Sequence, residues 1–420
     1  MGGSWPAVVL VVVAYSAAAA GVLGPAAPSP PQPPSLLPVP SALSSAASTA
    51  TPGGPVPPLR HIFAQFPADN GTSYRFNHLA MDPNTGKLYA AAVNHLFQLD
   101  PALRVEETVA TGPRADSPHC HAKGCMSPSI AMTRTDNVNK VLIVNTESKT
   151  LIACGSVSQG ACEKYKLGNI SLTPEFIPVG IAANDESSST YAFIGPERYQ
   201  YWGSTNVLYV GTTFTDNGEY RHDVPAISTL ELHNLSFAEF TFSKQSVVHI
   251  DVKYRDHFLV QYVYGFNASE YAYFVIVQKQ SHLPGQEELG YVTRLARTCI
   301  NDANYDSYTE VTLQCITQSG ENYNLVQDAK VFGAGQELAS NLGISVGQPI
   351  LVGVFAPSQT ISNDPQERSA LCVYSLQDIE SKFTENIHMC FNGSIKYRNM
   401  EYISGPIMDG KCPSAGVSVT

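Results

Sequence analysis

Basic residues are scarce in this chain of 420 residues, in which 25 lysines and arginines stand against 36 acidic residues. Nucleic-acid binding needs a basic face that displaces counterions from phosphates, so this balance argues against a nucleic-acid partner. The sequence also lacks HExxH, GxSxG and Walker motifs, and Leu338 stands where the dinucleotide fingerprint begun at Gly333-Ala334-Gly335 needs its third glycine. We therefore expect a non-enzymatic protein, with no catalytic residues, no cofactor and no metal.

Charged side chains are missing from the first 59 residues, which form a different kind of sequence from the rest. Residues 1–20 contain an apolar run that ends in four alanines, typical of a secretory signal peptide cleaved near Ala20. A signal anchor is the alternative, although the run is short for a membrane span. Residues 21–58 hold 12 of the 29 prolines, which predicts a disordered linker rich in Pro, Ala and Ser. No later stretch is apolar enough to cross a bilayer, so we expect a secretory-pathway protein.

A short apolar strand recurs along residues 59–420, about every 65 residues, and each copy follows a turn. The five copies lie at 88–91, 151–154, 208–211, 273–276 and 351–354. Another apolar strand precedes each copy and an alternating strand follows it, so each unit has three or four strands. This pattern predicts an all-β fold built from enlarged β-propeller blades. Tandem β-sandwiches are the alternative, although their Cys…Trp…Cys spacing is missing.

The first copy of the repeat belongs to a well-defined hairpin. Its strand begins after the turn Asp82 to Gly86 and continues to a second tight turn at Asn94-His95. A second, alternating strand then runs to Asp100. Helical periodicity is thin by comparison, and only two short helices are expected, at 334–341 and 376–383.

Nine cysteines behind a signal peptide predict disulfide bonds, with one cysteine left over. Cys120 and Cys125 bracket a loop that also contains histidine, so a metal site would be the alternative in a reducing compartment. Cys154 and Cys162 flank a glycine-containing turn, which predicts a disulfide across a hairpin. Because the closed loop is small, its stabilisation should lie at the lower end of the usual range.

Five Asn-X-Ser/Thr sequons support the secretory interpretation, because each predicts a glycosylated surface loop. The five asparagines are Asn70, Asn169, Asn234, Asn267 and Asn392. Most of these sites fall at expected turns. A glycan at any of them would keep protein partners away from the surrounding surface.

Several long motifs resemble the sema domain of plexins. They are Gly86 to Asn94, Ile152 to Cys162, Ala182 to Asp185, Tyr262 to Phe266 and Ala370 to Cys372. The resemblance runs from about Leu59 to Cys412, and its details lean toward class B plexins of invertebrates. It implies a sema-type β-propeller, seven-bladed in the family, that serves as the semaphorin-binding head of a cell-surface receptor in axon guidance.

The resemblance also implies a pairing for the cysteines. Under this pairing Cys120 joins Cys125, Cys154 joins Cys162, Cys315 joins Cys372, and Cys390 joins Cys412. Cys299 is then left unpaired, because the family partner of this cysteine would lie beyond Thr420.

The five repeat units are fewer than the seven blades of the family. We therefore expect residues 59–420 to form an incomplete propeller, either as a fragment or as a truncated product. Such a domain would expose two sheet edges and be poorly soluble. The membrane span would lie in the missing C-terminal part, so the full-length receptor is expected at the extracellular side of the plasma membrane. If this chain is the whole product, it is expected to be secreted.

The resemblance places the semaphorin contact on blade-edge loops near the third and fourth blades. In this sequence that region includes the loop between Gly218 and Pro225. The candidate contact residues are Glu219, Tyr220, Arg221 and Val224, because aromatic and arginine side chains suit an interface. Self-association of plexin-like heads is a second implied contact. A solvated loop is the simpler alternative, and the rival functions are a secreted semaphorin-like ligand and a carbohydrate-acting propeller enzyme.

Overall fold

The computed structural model describes residues 11–13, 74–199, 203–241, 244–394, 400 and 402–404. The chain divides into two compact units, Met1–Ala14 with Phe66–Thr420, and Tyr15–Gln65. The second unit lies outside the described residues, as does the predicted linker at 21–58. The architecture below concerns the first unit.

Five sheets of four or five strands follow one another along the chain. Strand β1 is Val11–Val13 and does not belong to the first sheet. The first sheet consists of β2 (Phe76–Met81), β3 (Leu88–Ala92), β4 (His95–Leu99) and β5 (Val105–Ala110). After a hairpin of β6 (Arg114–Asp116) and β7 (Thr133–Thr135), the second consists of β8 (Asn139–Asn145), β9 (Thr150–Gly155), β10 (Cys162–Lys166) and β11 (Glu175–Ile177). The third consists of β12 (Thr190–Tyr199), β13 (Gly203–Thr212), β14 (Ile227–Glu231) and β17 (Val247–Ile250), with β15 (Glu239–Thr241) and β16 (Lys244–Gln245) forming a side hairpin.

The fourth and fifth sheets complete the series. The fourth consists of β18 (Gln261–Ala268), β19 (Tyr271–Lys279), β20 (Tyr291–Cys299) and β21 (Thr309–Leu313). The fifth consists of β22 (Leu325–Gly333), β23 (Pro349–Ala356) and β24 (Ala370–Ser375), with β1 as its fourth strand beside β24. β25 (Ile403–Ser404) pairs with β17 and is the fifth strand of the third sheet. The helices are α1 (Val252–Arg255), α2 (Gln336–Leu342) and α3 (Leu376–Phe391), with 3-10 helices at Glu219–Asp223 and Glu287–Leu289.

Apart from β1 and β25, the strands of each sheet form an antiparallel meander, and consecutive sheets contact one another through their first strands. Contacts between neighbouring sheets join β2 to β8, β8 to β12, β12 to β18 and β18 to β22. First strands that meet in sequence order are the inner strands of propeller blades. The prediction of an all-β, propeller-type fold with five blade units is therefore confirmed.

The core lies between neighbouring sheets, because the second strand of each blade is covered on both faces. Ala91 and Leu96 of the first sheet pack with Leu151 of the second, and further clusters join the second to the third, the third to the fourth and the fourth to the fifth sheet. Burying a side chain such as Leu contributes about 1.5–3 kcal/mol. The near-continuous apolar runs found in the sequence correspond to these doubly covered strands.

The first hairpin forms as its turn residues predict. Asn94 adopts the left-handed conformation, with φ of 66°, between β3 and β4. In the preceding turn the Asp82 carboxylate accepts a hydrogen bond from the Asn84 N–H at 3.0 Å, and Gly86 has φ of 71°. Both turns therefore use residues that tolerate positive φ.

The helices are confirmed in position, but α3 is twice as long as expected. It begins at the N-cap Ser375, whose hydroxyl accepts a hydrogen bond from the Asp378 N–H, and it runs to Phe391. The helix is anchored by Leu376, Ile379 and Phe383, which pack into the core between the fourth and fifth sheets. Residues 384–391 are exposed or half-exposed except for Cys390, so the last two turns show little apolar periodicity in the sequence.

The predicted signal peptide contains the one described part of the N-terminal region. Val11–Val13 pairs in parallel with Leu371, Cys372 and Val373 of β24, at the outer edge of the fifth sheet. No helix among the described residues is long and apolar enough to span a membrane.

The structure contains disulfides that join Cys120 to Cys125, Cys154 to Cys162 and Cys315 to Cys372. Cys390 is also disulfide-bonded, and its expected partner Cys412 lies outside the described residues. Cys299, at the end of β20, is a free cysteine of intermediate exposure. The Cys315–Cys372 disulfide joins the cysteines that are farthest apart in sequence, with a separation of 57 residues. It connects the loop after β21 to β24 and so links the fourth sheet to the fifth.

Candidate partner-binding surface

The loop between β13 and β14 carries the residues that the sequence singles out for partner binding. It turns through the 3-10 helix Glu219–Asp223, which begins after Gly218. Gly218 has φ of 105°, and a Cβ at this position would lie 2.0 Å from the carbonyl oxygen of Pro118. Only glycine therefore allows this loop to approach the segment that precedes the Cys120–Cys125 disulfide.

The disulfide loop and the 3-10 helix form one continuous surface. The ring of His121 meets the ring of Tyr220 edge-on, with 5.2 Å between centroids. Nδ1 of His119 lies 3.9 Å from a carboxylate oxygen of Glu219, and both side chains are about two-thirds exposed. An exposed pair of this kind adds little stability, so these side chains are free to exchange solvent contacts for contacts with a partner.

Gln159 holds the disulfide loop in place from the second sheet. Its side-chain amide donates hydrogen bonds to the carbonyl oxygens of Pro118 at 2.8 Å and Cys120 at 2.9 Å. It sits in the Cys154–Cys162 hairpin, where Ser158, Gln159 and Gly160 all have positive φ. The turn of this hairpin therefore directs the Gln159 side-chain amide toward the Cys120–Cys125 disulfide loop.

The Ala182–Asp185 motif supplies the next contact. The Gly160 carbonyl oxygen accepts a backbone hydrogen bond from this segment, since the Ala182 N–H donates to it at 2.9 Å. The Asn184 amide donates to the side chain of Gln159 at 3.1 Å and to the Asn217 carbonyl oxygen at 2.8 Å. Asn184 thus connects the hairpin of the second sheet to the loop that leads into Glu219–Asp223.

Four sequence motifs therefore meet at one place: the two local disulfide loops, the Ala182–Asp185 motif and the 3-10 helix. We call the result the composite surface, defined as residues 117–126, 158–160, 182–185 and 217–224. Its exposed side chains include His119, Lys123, Met126, Glu219 and His222. The mixture of imidazole, methionine and charge around a half-buried tyrosine has the composition of a recognition surface.

Arg221 was expected to contact a partner, and the structure contradicts this expectation. Its side chain is 1% exposed. Nε donates to the Thr215 hydroxyl at 2.9 Å, and Nη1 donates to the Gln159 carbonyl oxygen at 2.8 Å. The guanidinium therefore holds the 3-10 helix against the second sheet and cannot reach a partner.

The other candidate contact residues differ in exposure. Glu219 is exposed, whereas Tyr220 and Val224 are half-buried. Sequence reasoning missed Gln159, Asn184 and Thr215, which position the surface. Gln159 and Asn184 lay inside motifs that the resemblance had marked, but nothing in a sequence shows which backbone carbonyl an amide will reach.

Four of the five sequon asparagines lie among the described residues, and all four are exposed. They are Asn169, Asn234, Asn267 and Asn392; Asn70 lies outside the described residues. Each side chain is thus accessible to the modification that the sequons predict. Glycosylation itself stays a prediction.

Two carboxylates near the inner strands bear on the carbohydrate-enzyme alternative. Asp136 precedes β8 and Glu186 precedes β12, and the guanidinium of Arg75 lies between them, 3.9 Å from one and 2.7 Å from the other. All three side chains are more than half exposed. A cation held between the carboxylates satisfies them as an ion pair, whereas glycoside hydrolysis needs one acid and one base facing a sugar. Within the described residues no group of three or more His, Cys, Asp or Glu could hold a metal ion.

Comparison with known proteins finds that the chain is similar to members of one family. Residues 326–419 match the family model described as the Sema domain. Plexin-A4 of Danio rerio is 31% identical over 385 residues, which cover 85% of this chain and 19% of that protein. This chain is similar to plexins. Plexin-A4 of Homo sapiens is 31% identical over 341 residues, covering 76% of this chain and 17% of that protein.

The solved structures agree with the sequence comparison. The full extracellular region of plexin A4 aligns with a TM-score of 0.70 at 27% identity, over 82% of this chain and 38% of that one. Drosophila Semaphorin 2a aligns with a TM-score of 0.51 at 18% identity, over 74% of this chain and 49% of that one, and shows the shared fold alone. The chain spans less than a fifth of the length of either plexin-A4.

Proposed function

We propose that this chain is the semaphorin-binding head of a plexin-like receptor, without catalytic activity of its own. The observation that supports this proposal most strongly is the 31% identity to plexin-A4 over 85% of the chain. The 27% identity to the plexin A4 extracellular region, against 18% for Semaphorin 2a, favours the receptor over the semaphorin-like ligand. Roles in axon guidance and cell signalling follow from the receptor assignment and belong to the same proposal.

The composite surface is the proposed contact with semaphorin. The Tyr220 ring meets His121 edge-on and is already held by this contact, so little conformational entropy remains to be lost when a partner covers it. Glu219 projects beside it into solvent, where a charged group steers an approaching partner and sets specificity. Val224 at the end of the loop is half-buried and adds apolar area.

Binding of the full chain to a panel of semaphorins tests both parts of the proposal. We expect at least one member to bind, and we expect Tyr220→Ala and Glu219→Lys each to weaken that binding by about tenfold or more, as at interface hot spots. Glu288→Lys is the matched control, because Glu288 is an exposed acid in the other 3-10 helix, Glu287–Leu289. Its binding should equal that of the unchanged chain.

The outcomes separate the function from the surface. If no semaphorin binds, the proposed function is wrong. If a semaphorin binds and both variants bind as well as the unchanged chain, the receptor assignment survives and the composite surface is not the contact.

The organisation of the chain belongs to the same proposal. A signal peptide at 1–20, a linker at 21–58 and a sema propeller over 59–420 would direct the domain into the secretory pathway, and to the extracellular side of the plasma membrane in a full-length receptor. Self-association of such heads and a specific closeness to class B plexins of invertebrates also stay predictions. The relatives named above are A-type plexins of vertebrates.

A further inference from the structure

Two arginine side chains near the composite surface are buried without an acidic partner. Arg221 is 1% exposed and Arg255, in α1, is 9% exposed. The Arg255 guanidinium donates to the carbonyl oxygens of His222 at 2.9 Å and Ile250 at 3.2 Å. Arg221 likewise bonds to a hydroxyl and a carbonyl oxygen, so neither cation meets a carboxylate among the described residues.

Buried arginines in the fourth sheet are arranged differently. The guanidinium of Arg297 pairs with the Glu380 carboxylate, and Nε of Arg294 lies 3.7 Å from a carboxylate oxygen of Glu310. A buried charge is costly unless a counter-charge compensates it. Burial lowers the pKa of Arg221 to about 10, and the charge of Asp185 opposes this change only in part. At neutral pH the group is still a cation.

Arg221 and Arg255 both line one small cavity. Thr212, Thr213 and His249 are also part of its wall, and no acidic residue is. Nη2 of Arg221 is buried and makes no hydrogen bond. The threonine hydroxyls already donate to the carbonyl oxygens of Ile181 and Val260. Arg221, which has a buried cationic donor without a hydrogen-bond partner, is therefore part of a cavity wall that contains no acidic residue.

His249 does not change this balance. Burial lowers its pKa, the charge of Arg255 lowers it further, and Asp223 acts in the opposite direction. The imidazole is therefore neutral at physiological pH. The wall of the cavity carries two positive charges and no negative one.

The size of the cavity restricts what can fill it. The free space accepts about one water-sized species. A tetrahedral oxyanion such as sulfate is too large, and a water molecule would satisfy a donor without balancing two charges. The Coulomb attraction of two cations in a medium of low dielectric favours an anion over water.

We propose that this cavity binds a chloride-sized monatomic anion that neutralises Arg221 and Arg255. The ion would fasten the 3-10 helix Glu219–Asp223 to α1 and to the end of β13. The proposal is independent of semaphorin binding, because its readout is the stability of the free chain.

Thermal unfolding of the full chain at constant ionic strength tests the proposal. Chloride is varied against gluconate at a total of about 0.15 M, so that screening stays the same. We expect a saturable rise in Tm of about 2 °C with chloride, as for a ligand that binds only the folded state. Bromide should act like chloride, and sulfate at equal ionic strength should not.

Variants make the test specific. Arg255→Met should remove the chloride dependence of Tm, whereas Arg297→Met should lower Tm but keep the dependence, because Arg297 has its own carboxylate. Crystals soaked in bromide should show an anomalous peak between Arg221 and Arg255. Equal Tm in chloride and gluconate, an equal effect of sulfate, or an undiminished chloride effect in Arg255→Met would each overturn the proposal.

Discussion

The composite surface and the interface between the fourth and fifth sheets are stabilised in different ways. The surface depends on glycines with positive φ and on the amides of Gln159 and Asn184, which bond to backbone carbonyls. The interface depends on apolar side chains such as Leu325 of β22 and Phe383 of α3. The comparison teaches that the region proposed for recognition tolerates few changes of shape, whereas the apolar interface should tolerate changes that conserve volume.

The largest expected effect follows from adding one methyl group to the hairpin of the second sheet. Gly160 has φ of 79°, and a Cβ there would lie 1.9 Å from the Ala182 carbonyl oxygen. We expect Gly160→Ala to cost about 4 kcal/mol or more of unfolding free energy in urea, because backbone must shift. Gly168→Ala is the control: φ is 85°, but nothing lies within 4 Å. It should cost only about 1–3 kcal/mol of strain. Equal losses would show that contact with Ala182 is unimportant.

The second prediction concerns the apolar interface. Phe383 is fully buried between the fourth and fifth sheets. Phe383→Ala should lower the unfolding free energy by about 3–5 kcal/mol, since a cavity replaces the ring. Phe383→Leu keeps most of the volume and should cost about 1.5 kcal/mol or less. If leucine proved as costly as alanine, the interface would be as shape-dependent as the composite surface.

The third prediction separates positioning from stability at the composite surface. Asn184→Ala removes side-chain hydrogen bonds to Gln159, Asn217 and Thr215. We expect a loss of about 1–3 kcal/mol in urea unfolding, because each neutral bond contributes about 1 kcal/mol. Hydrogen–deuterium exchange of the backbone amides at 217–224 should be faster in the variant. Unchanged exchange there would mean that Asn184 does not position the loop.

The smallest expected effect is a pH dependence from the first sheet. Burial lowers the pKa of His78 in β2, and the charge of Lys140 lowers it further. The unfolded chain then binds a proton near the ordinary histidine pKa of 6.5 that the folded chain does not, so stability is complete above this pH and falls below it. In His78→Gln the decline of Tm from pH 7 to pH 5 should be shallower than in the unchanged chain. An equal slope would show that His78 is not the source.

Residue patterns predicted most of the fold, because strands covered on both faces leave long apolar runs. The hairpin at Leu88–Leu99 and the five repeat copies fall within observed strands. Residue patterns did not predict the burial of Arg221, because an arginine in a polar loop is expected to be exposed. Only the tertiary contacts with Thr215 and the Gln159 carbonyl determine that it is buried. The composite surface likewise depends on contacts between segments about 100 residues apart.

Hydrogen–deuterium exchange with a bound semaphorin tests the central claim most directly. The account predicts slower exchange at 118–125 and at 218–224 together, because both loops belong to one recognition surface. Protection confined to other loops, with both of these segments unchanged, would contradict it.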